Sequence, residues 1–380
     1  MESIIKKVSV KHGEELKGRV LKVYSKKGSF ETPNKAPTST ELNGKKNIAF
    51  DGPFLNPVFE ITQRYTINNV SDLHKKNGVF SRKISEINAH SDTLVNRSLV
   101  KFFPQIPRDI QLNDNDIRSF IDLQLESNLN IISLPELEND ASVDDFKQNF
   151  EKYWDYVYHI NPNVVFMPYL NLSQDPTLFK NKLNLLNEYE GMLHAIGIKF
   201  ASIREFRPNL MTLASFSDRD FWVHCSSSKR ANWNSNVPTS QVHVLQRYGV
   251  DTVSVEIPMG GGQIKNKPTL DTRYFNQEKV TIPKISESIH DGDLICDCPI
   301  CRAQNFKELT EDLSKFVSRQ KSINSVLNDF SKIHEVYAST REFEFSRQRI
   351  KEGELNNYFY QKEGLKQDLN DNYPSQLSLV

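Results

Sequence analysis

The chain has 380 residues and a mass of 43.9 kDa, which is enough for two domains or for one large α/β unit of barrel size. Hydrophobic residues make up 38% and charged residues 25%, proportions that exclude a disordered, collagen-like or coiled-coil chain. Lys and Arg number 48, as do Asp and Glu, so a nucleic acid would have to bind to a local basic patch. No secretory leader and no apolar run of about 18 residues is recognisable, so we expect a cytoplasmic protein without a membrane span.

Short apolar runs and amphipathic segments alternate along most of the chain. Residues 1–46 predict short strands and turns, ending in the loop-like NKAPTSTELNGKK. Further strands are predicted, in chain order, at 47–50, 58–61, 130–134, 164–170, 198–203, 221–225 and 250–257, and helices at 114–127, 142–159 and 175–195. Repeated βα units predict a parallel sheet, and their number and length favour a (β/α)8 barrel of the TIM type over an open doubly wound sheet.

This α/β pattern divides the chain into four parts. We expect an N-terminal strand and hairpin segment over 1–46, the barrel over 47–290, a zinc-binding subdomain with closing helices over 291–360 and a polar tail over 361–380.

The zinc prediction depends on a cluster of three cysteines, Cys296, Cys298 and Cys301. A structural zinc ion takes four Cys or His ligands, so this Cys-x-Cys-x-x-Cys run needs one more. His334 is the only Cys or His that follows Cys301 in the sequence. The four residues therefore predict a closed Cys3His site for structural Zn2+, whereas reduced buried cysteines or a disulfide are the alternative.

Several separated stretches resemble the tRNA-guanine transglycosylase superfamily, the zinc-containing barrel enzymes that exchange guanine for a 7-deazaguanine in nucleic acid. GDLICDCPICRAQNF is similar to the family's Cys-x-Cys-x-x-Cys-Arg segment, and IHEVYASTREFEFSRQRIKEGELNNYF resembles the helices that follow it. GRVLKVYSKKGSFETP resembles the family's opening hairpin, and VLQRYGVDTVSVEIP resembles the barrel strand that carries its nucleophile. Together these matches span residues 18–360.

The resemblance implies exchange of guanine in tRNA or DNA for a 7-deazaguanine base through a covalent glycosyl-carboxylate intermediate, in a homo- or heterodimer. Two departures bear on this expectation. The family's nucleophilic Asp falls on Ser254, and its Asp-Ser-Gly-Gly-Phe motif is missing. A non-catalytic, zinc-containing subunit that binds nucleic acid and assists a catalytic partner is therefore the alternative function.

Three acids are candidates for the missing chemistry. Glu256 is the predicted nucleophile, because alternate strand residues share a face and barrel enzymes keep their chemistry at the strand carboxyl ends. Asp92 is the predicted acid/base and Asp251 the reserve. A strand-end salt bridge, a helix cap and a turn residue are their respective structural alternatives.

The predicted substrate-binding residues lie on loops near the same strand. Gly260, Gly261 and Gly262 would let backbone amides approach a base or a phosphate, and Arg273 would meet a phosphate. A flexible loop is the alternative for the glycines, and a surface charge is the alternative for Arg273.

Overall fold

The computed structural model describes residues 4–10, 16–75, 78–91, 94, 98–106, 112–127, 129–135, 142–233, 235–256, 272–285, 296–302 and 304–372. Its strands are β1 (Ile4–Val10), β2 (Arg19–Ser25), β3 (Gly28–Glu31), β4 (Asn34–Lys35), β5 (Val58–Arg64), β6 (Leu99–Gln105), β7 (Ile131–Leu134), β8 (Val165–Asn171), β9 (Ala195–Lys199), β10 (Trp222–Ser228) and β11 (Thr252–Val255).

Helices alternate with these strands and then follow them. They are α1 (Ser39–Asn47), α2 (Ile67–Leu73), α3 (Gly78–Ser91), α4 (Asp114–Glu126), α5 (Val143–Ile160), α6 (Pro176–Asn187), α7 (Arg207–Ser215), α8 (Gln241–Val244), α9 (Phe306–Ser314), α10 (Ile323–Lys351), α11 (Leu355–Gln361) and α12 (Glu363–Asn372), with a 3-10 helix at Leu245–Tyr248. No helix of the described ranges combines the length and apolar composition needed to cross a bilayer.

Strands β4 to β11 form one parallel sheet that curls into a nearly closed barrel. Its order is β4-β11-β10-β9-β8-β7-β6-β5. The two edges meet, because Glu60 N donates to Pro37 O at 2.9 Å and Thr38 forms a parallel bridge with Glu60. The predicted (β/α)8 barrel is therefore confirmed.

The three helices predicted at 114–127, 142–159 and 175–195 each begin at a side-chain cap. The side chains of Asn113, Ser142 and Asp175 each accept a hydrogen bond from a backbone N–H in the first turn of α4, α5 and α6. In α5, buried residues follow at helical spacing and face the core: Phe146, Phe150, Tyr153 and Val157. Capping and amphipathic spacing together explain why these helices were readable in the sequence.

The antiparallel sheet β1-β2-β3 covers the amino end of the barrel. Leu21 and Val23 of β2 pack in one cluster with the first residues of the barrel strands, among them Val58, Val165 and Trp222. Lys27 Nζ donates to Ser98 O at 3.0 Å, directly before β6. The amino end of the barrel is therefore plugged, and its carboxyl end is the open one.

Several elements differ from the sequence predictions. The predicted strand 47–50 is the end of α1 and the turn after it, and the barrel begins at β4, inside the segment assigned to 1–46. Strand β4 has only two residues within a turn-rich stretch, so no periodicity marks it. Part of the predicted polar tail forms α12, because Leu365 and Leu369 lie on one face and are buried.

A buried ion pair connects the sheet β1-β2-β3 to the barrel. Arg19 of β2 contacts Asp251, directly before β11, through Nη2–Oδ2 at 2.6 Å and Nε–Oδ1 at 3.1 Å. Asp251 also accepts from Thr32 Oγ1 at 3.0 Å and from Val223 N at 2.7 Å. Removing the charge would leave the Arg19 guanidinium uncompensated in the interior.

We therefore expect Asp251→Asn to lower the free energy of unfolding by about 3–5 kcal/mol, as breaking a buried pair does. Urea unfolding followed by circular dichroism measures this loss. The exposed pair between Arg219 and Glu190 at 3.2 Å supplies the control, since Arg219→Ala should cost at most about 1 kcal/mol. Equal losses in the two variants would contradict the role given to Asp251.

Candidate functional site

A cavity of about 450 Å³ opens at the carboxyl ends of the barrel strands. This size is within the range of small-molecule sites, and the position is the one at which barrel enzymes carry their active sites. Its lining combines aromatic faces with polar and charged groups: Arg64, Phe103, Pro104, Gln105, Ile106, Pro135, Tyr169, Lys199, Phe200, Ser227 and Glu256. We call this space the mouth cavity.

Glu256 lies in the mouth cavity directly after β11. Its backbone N–H donates to Ser228 O at 2.9 Å, which holds it against the end of β10. Two residues earlier, Ser254 faces the barrel interior, where its Oγ donates to Glu60 Oε1 at 2.6 Å. Because alternate residues of the strand share a face, Glu256 lies above Ser254. At position 254, where the resemblance expects an Asp, the chain has a hydroxyl that is hydrogen-bonded to a carboxylate from another strand.

Beneath the mouth cavity lies a layer of buried ionisable groups that the sequence analysis missed. Glu60 Oε2 lies 2.6 Å from Lys101 Nζ and 2.9 Å from His224 Nε2, and all three side chains are inaccessible to solvent. Burial alone would raise the pKa of Glu60, but Lys101 and His224 hold it well below its usual value. Burial and the neighbouring Lys101 charge lower the pKa of His224 to about 4, so this imidazole is neutral at pH 7.

Tyr169 connects this layer to the mouth cavity. Lys101 Nζ donates to Tyr169 Oη at 2.5 Å, and the ring of Tyr169 lines the cavity. Burial raises the pKa of Tyr169 well above its usual value, so the phenol stays protonated. Gly197 makes room for the ring, because a Cβ at that position would stand 2.4 Å from a ring carbon.

A signal for the buried layer exists in the sequence. Glu60, Lys101 and His224 each come two residues after an apolar residue that begins a strand and faces inward, namely Val58, Leu99 and Trp222. Because alternate strand residues share a face, these ionisable side chains must also point into the barrel. An ionisable residue in the second inward position of an apolar strand is thus the pattern that would have found them.

Of the other residues predicted for catalysis or substrate binding, Asp251 and Arg273 are described, and neither lines the mouth cavity. Asp251 lies at the amino end of β11, in the ion pair with Arg19. Asp92 and Gly260, Gly261 and Gly262 lie outside the described residues. Arg273 lies elsewhere, with its guanidinium 4.7 Å from the ring centre of Trp233.

Cys296, Cys298, Cys301 and His334 come together as predicted and form a group that is arranged to hold a metal ion. Their ligand atoms all lie within 4.8 Å of one another. His334 Nδ1 is 3.3–3.5 Å from the three sulfurs. A tetrahedral ion with bonds of about 2.3 Å to sulfur and about 2.0 Å to nitrogen would separate the nitrogen from each sulfur by roughly 3.5 Å. The donor set and its spacing therefore fit a closed tetrahedral site.

Neighbouring groups orient the four ligands. His334 Nε2 lies 2.9 Å from Phe275 O, which fixes Nδ1 as the ligand nitrogen, and the Tyr274 ring stacks on the imidazole at 4.2 Å. Cys298 N donates to Cys296 Sγ at 3.3 Å and Cys301 N donates to Cys298 Sγ at 3.4 Å. Such amide donors stabilise thiolates, so the loop is built for deprotonated cysteines.

Glu335, the residue after His334 on α10, ties the metal-binding group to the barrel. It accepts from Lys35 of β4 at 3.2 Å and from Arg230, just after β10, at 2.5 Å. Burial alone would raise the pKa of Glu335, but Arg230 and Lys35 lower it to about 2. The Glu335 carboxylate therefore connects α10 to β4 and to the loop that follows β10.

No protein-family model matches this sequence, and no curated protein is significantly similar to it. The chemistry of the mouth cavity and of the metal-binding group therefore has to indicate the function.

His224 and a second buried histidine should make the fold sensitive to acid. The ring of His243 stacks with Phe275 at 5.1 Å and with Phe343 at 4.6 Å, and burial lowers its pKa to about 3. Below about pH 6.5 these two histidines bind protons in the unfolded chain but stay neutral in the folded chain. We expect the free energy of unfolding to fall from pH 6.5 towards pH 4, by up to about 1.4 kcal/mol per pH unit for each histidine.

Urea unfolding at a series of pH values measures this slope. His243→Phe keeps an aromatic ring between its neighbours. It should reduce the slope by up to about 1.4 kcal/mol per pH unit, the contribution of one proton. The matched control is His159→Gln, on an exposed position of α5, which should leave the slope unchanged. A wild-type stability that does not change between pH 6.5 and pH 4 would contradict both assignments.

Proposed function

We propose that the protein is a transglycosylase that exchanges guanine in a nucleic acid for a 7-deazaguanine base, with Glu256 as the nucleophile. The observation that supports this most directly is the placement of the Glu256 carboxylate in a strand-end cavity with aromatic faces. The sequence resemblance to the tRNA-guanine transglycosylases supplies the reaction type.

The lining of the mouth cavity suits a flat heteroaromatic base. Phe103, Tyr169 and Phe200 offer ring faces, and Gln105 offers an amide that can both donate and accept hydrogen bonds. Enzymes that act on a base within a nucleic acid extrude it into such a pocket and hold it by stacking and edge contacts. Arg64 and Lys199 add positive charge beside the cavity, where a phosphodiester would enter.

In this proposal Glu256 attacks C1′ of the nucleotide as the bond from C1′ to N9 of guanine breaks. The bond electrons leave with guanine, which takes up a proton at N9 from an acid, and a glycosyl ester of Glu256 remains. The incoming 7-deazaguanine loses its N9 proton to the same group and displaces the carboxylate. Asp92 is the predicted acid/base, so its role remains a prediction from the sequence.

The buried layer positions the floor of the cavity rather than reacting. Lys101 holds Glu60 ionised and fixes the hydroxyl of Tyr169, and Glu60 in turn fixes Ser254. Because Glu60 is inaccessible to solvent, a sugar cannot reach it without displacing the layer. Glu256 is the acid that a substrate in the mouth cavity can contact.

Zinc is the metal that we propose for the Cys3His group. Three thiolates and one imidazole fill a tetrahedral zinc shell and leave no open position, so the ion would stabilise the fold and take no part in the reaction. Cys296, Cys298 and Cys301 would then fasten their loop to α10, from which Glu335 reaches the barrel.

Metal analysis tests the zinc site. Cys298→Ser should abolish stoichiometric zinc binding and lower thermal stability, because the binding energy of such a site is largely folding energy. Elemental analysis of the purified variants and thermal scans measure the two effects. Cys225→Ala is the matched control, since Cys225 lies in β10 outside the cluster, and it should retain one equivalent of zinc. Fully stable, metal-free wild type would contradict this assignment.

Exchange of radiolabelled guanine into tRNA and into duplex DNA tests the enzymatic function. Glu256→Gln should abolish both exchange and the covalent adduct with nucleic acid, because an amide cannot form the glycosyl ester. Zinc content and thermal stability should stay unchanged. Glu188→Gln, on the exposed end of α6, is the control and should exchange at the wild-type rate.

Two results would contradict the proposed chemistry. Full exchange by Glu256→Gln would remove Glu256 from the role of nucleophile. Absence of any adduct between wild type and either nucleic acid would favour the non-catalytic subunit, for which the hydroxyl at Ser254 is the supporting observation.

A further inference from the structure

The proposed exchange needs a group that gives a proton to the leaving guanine and takes one from the incoming base. Asp92, the acid predicted from the sequence, lies outside the described residues, but its nearest described neighbours can be located. Leu94 N donates to Ser91 O at 2.8 Å, and Ser98 N donates to Leu94 O at 3.2 Å. Ser98 O in turn accepts from Lys27, in the turn between β2 and β3. These neighbours therefore lie at the amino end of the barrel, opposite to the mouth cavity.

Lys199, at the carboxyl end of β9, lines the mouth cavity. Ala195 of the same strand packs inside the barrel, whereas Ile198 packs outside it with residues of the surrounding helices. Because alternate strand residues share a face, Gly197 and Lys199 point inwards with Ala195. The ring of Tyr169 covers Gly197, one inward position below. The Lys199 side chain therefore enters the cavity above that ring.

Glu256 and Lys199 face the mouth cavity from strands that are not neighbours. Strand β10 lies between β9 and β11, so roughly 10 Å, two strand spacings, separates the two backbones. A lysine and a glutamate side chain can reach towards each other across this distance with a nucleotide between them. A nucleophile and an acid have to lie on opposite sides of the bond that breaks, and two such strands provide this arrangement.

The other ionisable groups of the described lining do not suit proton transfer. Arg64 lines the cavity, but a guanidinium does not release its proton in proteins. The hydroxyl of Tyr169 points into the buried layer, where its Oη lies 2.5 Å from both Lys101 Nζ and Ser226 Oγ. Within the described lining, Lys199 is thus the group beside Glu256 that can both donate and accept a proton.

We propose that Lys199 is the acid and base of the exchange. Its ammonium gives a proton to N9 of guanine while Glu256 attacks C1′, and the electrons of the C1′–N9 bond stay with guanine. The neutral amine then takes the N9 proton of the incoming 7-deazaguanine, whose N9 attacks C1′ and returns the ester electrons to Glu256. Each cycle restores the ammonium and the carboxylate. This inference rests on the proposed function and gives Lys199 the proton transfer predicted for Asp92.

Exchange of radiolabelled guanine into the nucleic acid that wild type accepts tests this role. Lys199→Ala and Lys199→Arg should both lower kcat by about 100- to 10,000-fold, the usual contribution of a general acid and base. Lys199→Arg keeps the positive charge, so its Kd for the same nucleic acid, measured by fluorescence anisotropy, should stay at the wild-type value. Ethylamine in the assay should restore part of the kcat of Lys199→Ala and should not change that of Lys199→Arg.

Lys180→Ala is the matched control. Lys180 lies on an exposed position of α6, outside the lining of the mouth cavity, and this variant should exchange at the wild-type rate. Circular dichroism and zinc content show that each variant is folded, and rescue by ethylamine requires an intact site.

The outcomes separate this inference from the proposed function. If wild type exchanges bases and Lys199→Arg does so at the same rate, Lys199 only attracts the phosphodiester, and this inference alone is overturned. Loss of exchange in Asp92→Asn together with a full rate in Lys199→Ala would return the proton transfer to Asp92. If wild type forms neither the exchange product nor the covalent adduct, the proposed function and this inference fail together.

Discussion

The ion pair between Glu60 and Lys101 is the interaction on which the open end of this barrel depends. Burying two charges is expensive, and an apolar pair would fill the same space at lower cost. Here the pair also makes hydrogen bonds to Ser254, Ser226 and the hydroxyl of Tyr169. These groups form the layer under the mouth cavity. Hydrogen bonds of this kind hold the groups beneath the cavity in one arrangement, and such pre-organisation suits a binding site.

Local physics explains which parts of the fold could be predicted from the sequence. Helices α4 to α6 carry side-chain caps and apolar spacing within single segments, so each could be recognised without knowledge of its neighbours. The metal-binding group was equally local at its cysteines, and His334 followed because it is the only remaining ligand downstream. Strand β6 was missed because its apolar run contains a lysine and a proline, and the lysine is explained only by Glu60 on the neighbouring strand.

The remainder of the site depends on contacts between distant segments, which one sequence does not show. Asp251 is equally plausible as a catalytic acid or as a structural one until Arg19 is found beside it. The surroundings of Trp233 could not be predicted either, because its contact with Arg273 arises from loops that approach each other only in the folded barrel. The direction of the Glu256 side chain could be predicted, because residues 254 and 256 share a face of the strand. Its aromatic surroundings could not be predicted, because the rings belong to other strands.

Closure of the barrel through β4 has a consequence for the order in which the chain folds during synthesis. Asn34 pairs with Thr252, so the first barrel strand waits for nearly the whole barrel to be made before it finds its partner. Until β11 is made, β10 is an open edge of the sheet, and such an edge is prone to pairing with other chains. The hairpin of β2 and β3 is made early and can cover the apolar amino end of the growing sheet. Helix α10 leaves the ribosome after all the barrel strands, packs on β4 and brings Glu335 to Lys35, so the seam is sealed only after the barrel strands have been made.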